Sequence, residues 1–214
     1  MSDTGLPQPR KRPRQQRSQT LVRAIREACL QILETEGPDR LTTQRIADVA
    51  GINIASLYQY FPNKEAVLAD VYEERMAGLV AQTESEFARI HALTDQGLEA
   101  TLAAIIDLEV ALLLQLYRMY PDFYLQYQQS LDIRARVNEL TQSLANPSWE
   151  QWFPGFLRRH RAQLRKGDID TMAFIARRSL DACLQSALAE RPQALEDPAF
   201  QREMLRLLLN YLLK

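Results

Sequence analysis

The stretch TTQRIADVAGINIASLYQYFPNK, residues 42–64, concentrates residue types that can bind phosphate without a covalent step. Tyr58 and Tyr60 carry hydroxyls that can donate to phosphate oxygens, because Leu57 and Phe61 occupy the inward positions of the same helical pattern. Tyrosines that belong to an ordinary core are the alternative.

Lys64 lies in the first turn of the helix that follows Pro62. A cation there opposes the helix dipole, so its placement is better explained if a phosphate lies between the lysine and the helix end. A solvated lysine is the alternative. The chemistry predicted for this stretch is therefore noncovalent binding of phosphate groups.

Two very short helical patterns around one glycine must position these side chains. Thr42 or Thr43 can cap the first pattern, and Asn53 can cap the second. Gly51 supplies a turn conformation that most residues avoid. Because helices this short do not fold on their own propensity, the pattern predicts a helix-turn-helix, whose second helix enters the DNA major groove. A tight helix corner in an ordinary bundle is the alternative.

Residues 41–64, LTTQRIADVAGINIASLYQYFPNK, resemble the tetracycline-repressor (TetR) family of bacterial transcription regulators. The shared pattern is paired threonines, Ile-Ala, Ala-Gly, Leu-Tyr, an aromatic pair and Asn-Lys. With the preceding helix it covers about a quarter of the chain, and the rest agrees only in helical character and length. The resemblance implies phosphate contacts from Thr43, Tyr58, Tyr60 and Lys64. It also implies that a second set faces base edges or the groove floor, namely Gln44, Asn53, Ile54, Ala55 and Gln59.

Two positions depart from the family pattern. Ala55 stands where glycine or proline is common, and Ile54 stands where a polar residue frequently reads the bases. The second helix of the motif has no Arg or Lys, so a bidentate arginine contact to guanine is not available from it. Ile54 can instead touch thymine methyl groups.

The N-terminal arm, residues 1–17, is rich in Pro, Gln and Arg and is predicted to be disordered when free. Residues 1–26 hold seven Arg or Lys and one acid, Asp3, whereas the whole chain has a net charge of -1. A cationic end on an acidic body predicts contact with a polyanion, most simply nucleic acid. Arg12, Arg14 and Arg17 are predicted to reach phosphates or a minor groove. A solubilising tail is the alternative.

The chain shows no long strand-like alternation and has only seven glycines, which predicts an all-α fold. We expect an N-terminal three-helix helix-turn-helix DNA-binding domain and a larger helical effector-binding and dimerisation domain. The predicted divisions are a flexible basic arm at 1–17, a DNA-binding domain at 18–66 and a ligand-binding and dimerisation domain at 67–214. The predicted long helices cover 18–36, 63–91, 95–119, 121–143, 148–165, 168–190 and 197–213.

The last two helices are predicted to form a homodimer. A single helix-turn-helix contacts few base pairs, so a second copy adds specificity. Small residues on one helix permit close approach, and leucines cover more than one face of the other. Burial within one subunit is the alternative. The predicted interface residues are Ala173, Ala176, Leu180, Leu205, Leu208 and Leu212.

The segment 117–156 is unusually aromatic. The family resemblance implies a cavity here for a small, often apolar or aromatic effector, whereas the residues alone favour an ordinary core. Glu109 projects onto an apolar helix face, where a carboxylate must be paired, for example with Arg134 or Arg177, or serve a ligand. The predicted pocket residues are Glu109, Leu113, Tyr117, Tyr124, Tyr127, Trp149, Trp152 and Phe153.

Other functional classes have little support. The sequence lacks a phosphate-binding glycine loop, a nucleophile elbow and a histidine pair at metal spacing, so we expect neither an enzyme nor a cofactor. His91 and His160 are interpreted as surface residues. Cys29 and Cys183 are too few for a disulfide framework, and the apolar run 102–117 contains Asp107 and Glu109. These features predict a cytoplasmic protein without a membrane segment.

The sequence therefore predicts a ligand-responsive transcription regulator. We expect it to bind a double-stranded DNA operator as a homodimer and to be a repressor that an unknown small-molecule effector releases. A constitutive DNA-binding regulator without an effector pocket is the alternative.

Overall fold

The computed structural model describes residues 6–11, 13, 15–128, 130–131 and 149–214. In these residues the regular elements are helices, apart from one isolated antiparallel bridge between Leu164 and Leu213. The helices are α1 (Gln16–Thr35), α2 (Thr43–Val49), α3 (Ile54–Tyr58), α4 (Lys64–Leu93), α5 (Leu98–Tyr117), α6 (Pro121–Tyr127), α7 (Trp149–Arg159), α8 (Ile169–Glu190) and α9 (Pro198–Leu212). The predicted all-α fold class is confirmed.

Local sequence signals set several of these boundaries. Gly37 has a φ of 85° and donates its N–H to the carbonyl of Ile32, which closes the C-terminal end of α1 before Pro38. Asn63 accepts a hydrogen bond from the N–H of Ala66 at 2.9 Å and so caps α4. Both ends were predicted within two residues.

Two predicted helices are too long. The predicted helix 121–143 ends at Tyr127, and the described residues that follow form turns at 128 and 130 and a bend at 131. The rest of that prediction lies outside the described residues. The predicted helix 148–165 is α7, which ends at Arg159 and is followed by consecutive turns. Buried leucines recur beyond both helix ends, at Leu131 and Leu164, so apolar periodicity does not mark where a helix stops.

The chain divides into two compact units. The first comprises residues 1–78 and 115–132, and the second comprises residues 79–114 and 133–214. The predicted division after residue 66 concerns function, which compactness does not test, and it stays a prediction. The segment that contains α6 belongs to the same compact unit as α1, α2 and α3.

Tyr72 lies at the centre of the first unit. Its side chain is fully buried, and its hydroxyl donates to the carbonyls of Leu116 and Tyr120 at 3.1 Å and 3.2 Å. Its ring stacks on Phe123 with the centroids 5.2 Å apart. This one residue therefore ties α4 to the end of α5 and to α6.

The second unit is built from the remaining parts of α4 and α5 together with α7, α8 and α9. Helix α8 packs against both α7 and α9. The end of α9 is held by Arg165, which donates its Nε–H to the carbonyl of Tyr211 at 2.7 Å and places its guanidinium over that ring. The apolar face of α8 therefore lies inside this unit.

Helix α5 corrects the expectation about the apolar run. By length and composition alone it is long enough to cross a membrane, since its 20 residues include a window with a mean hydropathy of 1.7. Asp107 and Glu109 do not shorten the helix. A buried core helix of a soluble protein passes the same test, so this property does not by itself indicate a membrane segment.

Candidate nucleic-acid interface

Helix α2 begins with a side-chain cap. Thr42 accepts a hydrogen bond from the N–H of Arg45 at 3.0 Å, which resolves the choice between Thr42 and Thr43 in favour of Thr42. Thr43 is therefore the first residue of the helix, and its side chain does not serve as the cap. Its hydroxyl lies 3.0 Å from the hydroxyl of Tyr58 on α3.

The turn between α2 and α3 is fixed by Gly51 and Asn53. Gly51 has a φ of 66°, a backbone conformation that residues other than glycine adopt only at a free-energy cost. Asn53 accepts a hydrogen bond from the N–H of Ala55 at 2.8 Å, as predicted. Ile46 and Leu57 are fully buried, so each short helix is anchored by one large apolar residue. The opposite faces of both helices remain available to a partner.

The predicted base-facing residues fall into two groups. Gln44, Asn53, Ala55 and Gln59 are exposed, whereas Ile54 is half-buried. The amide of Gln44 donates to Asp48 at 2.8 Å, so that contact must open before Gln44 can reach a base. Because Asn53 uses its oxygen for the cap, only its NH₂ group is left to donate outward.

The two tyrosines occupy different environments. The side chain of Tyr58 is exposed (38%) and its hydroxyl is paired with that of Thr43. In such a pair one hydroxyl donates to the other, which leaves one O–H to donate outward to a phosphate oxygen. Tyr60 is only 9% exposed, so it is far less open to solvent than Tyr58, and its phosphate contact stays a prediction. The N-terminal arm covers Tyr60, and the sequence pattern could not show this.

Lys64 is the first residue of α4 and is half-buried. Its placement at this helix end agrees with the predicted position, and its contact with phosphate stays a prediction. Arg45 of α2 is less available to a phosphate, because its guanidinium bonds both carboxylate oxygens of Glu36. Hydrogen bonding to Arg45 lowers the pKa of Glu36 below its usual range.

A second ion pair holds the two long helices of the first unit together. Arg26 of α1 donates to Asp70 at 2.6 Å and to Glu74 at 3.2 Å, both on α4. Arg26 and Asp70 are largely shielded from solvent, so this pair is screened less than a surface pair. Arg26 therefore contributes to the framework of the unit, and its charge is already compensated.

The arm contributes residues that the sequence did not single out. Arg12 and Arg14 lie outside the described residues, and Arg17 is exposed in the first turn of α1. Arg10 instead contacts α3: its backbone N–H donates to the carbonyl of Tyr60 at 2.7 Å, and its Nη1 donates to the carbonyl of Tyr58 at 3.1 Å. Lys11 places its ammonium 4.8 Å from the centre of the Tyr60 ring. Residues 10 and 11 therefore contact α3 and the turn that follows it, and the flexibility of the arm as a whole stays a prediction.

The predicted pocket residues are divided between the two units. In the first unit, Tyr117 meets Tyr124 edge to face at 6.5 Å, and Tyr127 packs on Phe123 at 4.7 Å. In the second unit, Trp152 and Phe153 are buried and pack on Phe156, and Leu113 is also buried. Glu109 is half-buried and is not free of partners. The side chain of Trp149 lies outside those that the structure describes.

Both histidines make contacts that the sequence analysis missed. His91 accepts a hydrogen bond at Nδ1 from the indole N–H of Trp152 at 3.2 Å, and burial lowers the pKa of its ring. His160 lies edge-on to Phe156 and bonds the carbonyl of Thr94 at 3.1 Å. They are structural partners of the aromatic cluster in the second unit. Among the described residues, no group of three His, Cys, Asp or Glu could hold a metal ion.

Five of the six predicted interface residues are buried within the single chain. They are Ala173, Ala176, Leu180, Leu208 and Leu212, while Leu205 is half-buried. The regular apolar face of α8 is used against helices of its own unit, which is the alternative stated for these residues. The exposed large apolar side chains of the same two helices are Phe174 (57%), Ile175 (39%) and Leu207 (47%).

The geometry of α2, the Gly51 turn and α3 defines a helix-turn-helix DNA-binding protein. The family model for "Bacterial regulatory proteins, tetR family" matches residues 25–71, and that for "Tetracyclin repressor-like, C-terminal domain" matches residues 98–212. The second match alone covers more than half of the chain. The chain therefore belongs to the TetR family of bacterial transcription regulators, whose members bind DNA operators and dimerise.

The chain is also similar to individual proteins of known name or structure. The Fatty acid metabolism regulator protein of Bacillus subtilis (strain 168) is 24% identical over 123 residues, which are 57% of this chain and 61% of that protein. The match thus spans less than two thirds of that relative. A solved structure from Mesorhizobium loti, described as a TetR-family transcriptional regulator, is 16% identical, covers 94% of this chain and 100% of its own, and has a TM-score of 0.53. The fatty acid degradation regulator FadR from Bacillus halodurans is 17% identical, covers 92% and 97%, and has a TM-score of 0.47.

Proposed function

We propose that this chain is a ligand-responsive repressor that acts in the cytoplasm, binds its operator as a homodimer and is released by a small-molecule effector. The observation that carries the DNA-binding part is the exposed hydroxyl of Tyr58 paired with Thr43 at the start of α2. Around it the exposed side chains of Gln44, Asn53 and Gln59 offer donors and acceptors to base edges. Lys64 and Arg17 supply positive charge for phosphates.

Dimerisation is supported by an exposed apolar patch on α8 and α9, formed by Phe174, Ile175 and Leu207. Two large side chains of this patch, Phe174 and Leu207, expose about half of their surface, and a second copy would remove that surface from water. A twofold pairing would present two α3 helices to half-sites about one helical turn, ~34 Å, apart or a multiple of it. This patch replaces the buried residues as the proposed contact surface.

The effector is proposed to be a fatty acid or a close derivative. The curated relative is a fatty acid metabolism regulator, and a regulator of a pathway commonly responds to a compound of that pathway. Within the second unit, Leu113, Trp152 and Phe153 are proposed as apolar walls for such a chain, and Glu109 is proposed as a polar group of the same unit. An effector that binds one conformation better than the DNA-bound one disfavours DNA binding by that same free-energy difference.

A constitutive regulator without an effector is the second candidate, and one observation favours it. Trp152, Phe153 and Phe156 are all nearly fully buried, and the Trp152 and Phe156 rings stack with an interplanar angle of 6°. Aromatic residues packed this closely against one another are typical of an ordinary core. Under this reading the aromatic residues of the second unit only stabilise its core.

The test has two stages. First, the full chain selects duplexes from a random-sequence DNA pool, and its mass is measured by light scattering alone and with a selected duplex. We expect a dimer in both states and a twofold-symmetric footprint, whereas a monomer that gains no mass with DNA would refute the proposal. Second, a series of straight-chain fatty acids of increasing length is titrated into the complex. Release that depends on chain length supports the repressor, and unchanged binding across the series supports the constitutive alternative.

A further inference from the structure

At the C-terminal end of α3, two backbone carbonyls lack the N–H donors that a continuing helix would supply. In a continuing helix the carbonyl of Tyr58 would accept from the N–H of residue 62, but residue 62 is proline and has no N–H. The carbonyl of Tyr60 would accept from residue 64, but the chain bends at Pro62 and Asn63 and starts α4 at Lys64. Both carbonyls therefore need donors from elsewhere.

Arg10 supplies both donors from 48 and 50 residues away in sequence. Its Nη1 donates to the Tyr58 carbonyl at 3.1 Å, and its backbone N–H donates to the Tyr60 carbonyl at 2.7 Å. A charged donor to a carbonyl makes a stronger hydrogen bond than a neutral one. Lys11 adds a cation–π contact to the Tyr60 ring at 4.8 Å, which holds the same turn of the arm in place.

Tyr58 is thereby held at both of its ends. Its carbonyl is bonded by Arg10, and its hydroxyl is bonded by Thr43 at 3.0 Å. Because α3 has only five residues, its own hydrogen bonds fix its last residue poorly. The orientation of the exposed hydroxyl consequently depends on the arm.

We propose that Arg10 is a positioning residue of the DNA-binding surface, which caps α3 and thereby orients Tyr58, and does not itself contact phosphate. This inference rests on the proposed function, since it assigns Arg10 a role in operator binding. It also gives the arm two parts: a docked turn at Arg10 and Lys11 that shapes the α3 surface, and the proposed phosphate-binding arginine Arg17 at the start of α1.

Docking of the arm can be tested in the full-length protein without DNA. Amide hydrogen exchange is measured at Arg10 by NMR on the wild type. We expect the Arg10 amide to exchange at least about tenfold more slowly than a random coil, because it is bonded to the Tyr60 carbonyl. Exchange at the random-coil rate would show that the arm is not docked and would overturn the proposal.

The role in binding is tested with Arg10→Ala, Tyr58→Phe and the double variant on a duplex that the wild type selects from a random pool. We expect Arg10→Ala to weaken binding about fivefold and Tyr58→Phe to weaken it by a similar factor. Because both act through the same hydroxyl, the double variant should bind about as well as Tyr58→Phe alone. Circular dichroism on each variant verifies that the helices are intact.

The salt dependence separates positioning from direct contact. A lost phosphate contact lowers the slope of log K against log salt by about 0.9, so Arg17→Ala should lower it, whereas Arg10→Ala should leave it unchanged. Arg23→Ala is the matched surface control, because Arg23 is exposed on α1 and paired with Glu27, and it should change neither affinity nor slope.

Each result has one reading. A slope that falls by about one for Arg10→Ala, with effects that multiply in the double variant, would show that Arg10 contacts phosphate and would overturn the proposal. If Tyr58→Phe binds like the wild type, then no Tyr58 contact exists for Arg10 to orient, and the proposal fails. If the wild type selects no DNA, the proposed function itself fails, and the exchange measurement alone then shows whether the arm docks.

Discussion

Replacement of Tyr72 by phenylalanine probes the connection between α4 and the segment 115–132. The variant keeps the ring and its stacking on Phe123 but removes the one hydroxyl that donates to the carbonyls of Leu116 and Tyr120. Tyr72 is fully buried, so water cannot replace the lost donor without opening the core.

The expected cost follows from these contacts. A buried neutral hydrogen bond contributes about 1 kcal/mol net, and here one hydrogen serves two carbonyls, so we expect a loss of about 1 to 2 kcal/mol. For a chain of this length that corresponds to a decrease in Tm of about 3 to 6 °C. Urea unfolding followed by circular dichroism measures the change as a lower midpoint with an unchanged slope. Tyr211→Phe is the matched control, because it removes the same atom from a half-buried ring and keeps the ring beneath Arg165.

The same variant has a signature in alkaline solution. Burial raises the pKa of Tyr72 above its ordinary value of 10.0. Above pH 10 the unfolded chain therefore loses this proton while the folded chain keeps it, so stability falls as the pH rises, by about 1.4 kcal/mol per pH unit. Tyr72→Phe removes that part of the decline. An unchanged midpoint together with an unchanged alkaline slope would refute the assigned hydrogen bonds.

Further predictions concern other parts of the chain. Burial raises the pKa of the Cys29 thiol from 9.0 to about 12, so stability should fall as the pH rises through that window, and Cys29→Ala should abolish this part of the decline in pH-dependent urea unfolding. Gly78 lies inside α4 with no atom near the position of an added Cβ, so Gly78→Ala should raise stability by about 0.5 to 1 kcal/mol in the same assay. Gly51→Ala should instead lower stability, because the φ of 66° strains any side chain there. Phe174→Glu should shift the protein toward monomer in light scattering without loss of helical signal, since Phe174 is exposed in the single chain.

The helix-turn-helix was predictable because its signals are local. Thr42 and Asn53 cap helices through backbone groups two or three residues away, and Gly51 adopts a conformation that depends on its own lack of a side chain. Such features depend only on residues that are close together in the sequence. The choice between Thr42 and Thr43 was left open only because both can cap.

The burial of Tyr60 and the contacts of Arg10 could not be predicted from periodicity. Both depend on a contact between residues 48 to 50 positions apart, and the only local clue is the missing N–H of Pro62. A reader of the sequence could have asked which donor serves the Tyr58 carbonyl, but the sequence does not name it.

The proposed dimer surface illustrates a second limit of prediction from sequence. Helix α8 carries one apolar stripe with Ala173, Ala176 and Leu180 and another with Phe174 and Ile175. Periodicity identifies both stripes but does not tell which one packs inside the unit. The stripe of small and medium residues fits a neighbouring helix of the same chain, and this left the larger residues exposed.

The inclusion of residues 115–132 in the first compact unit bears on how this protein can be divided for engineering. A chimaera that transplants only residues 1–78 onto another protein would remove the acceptors of the Tyr72 hydroxyl and the ring that stacks on Tyr72. A transplant that also carries α6 and the end of α5 would preserve that packing. The part of the chain that must be exchanged as one piece, residues 1–78 with 115–132, is therefore discontinuous in sequence.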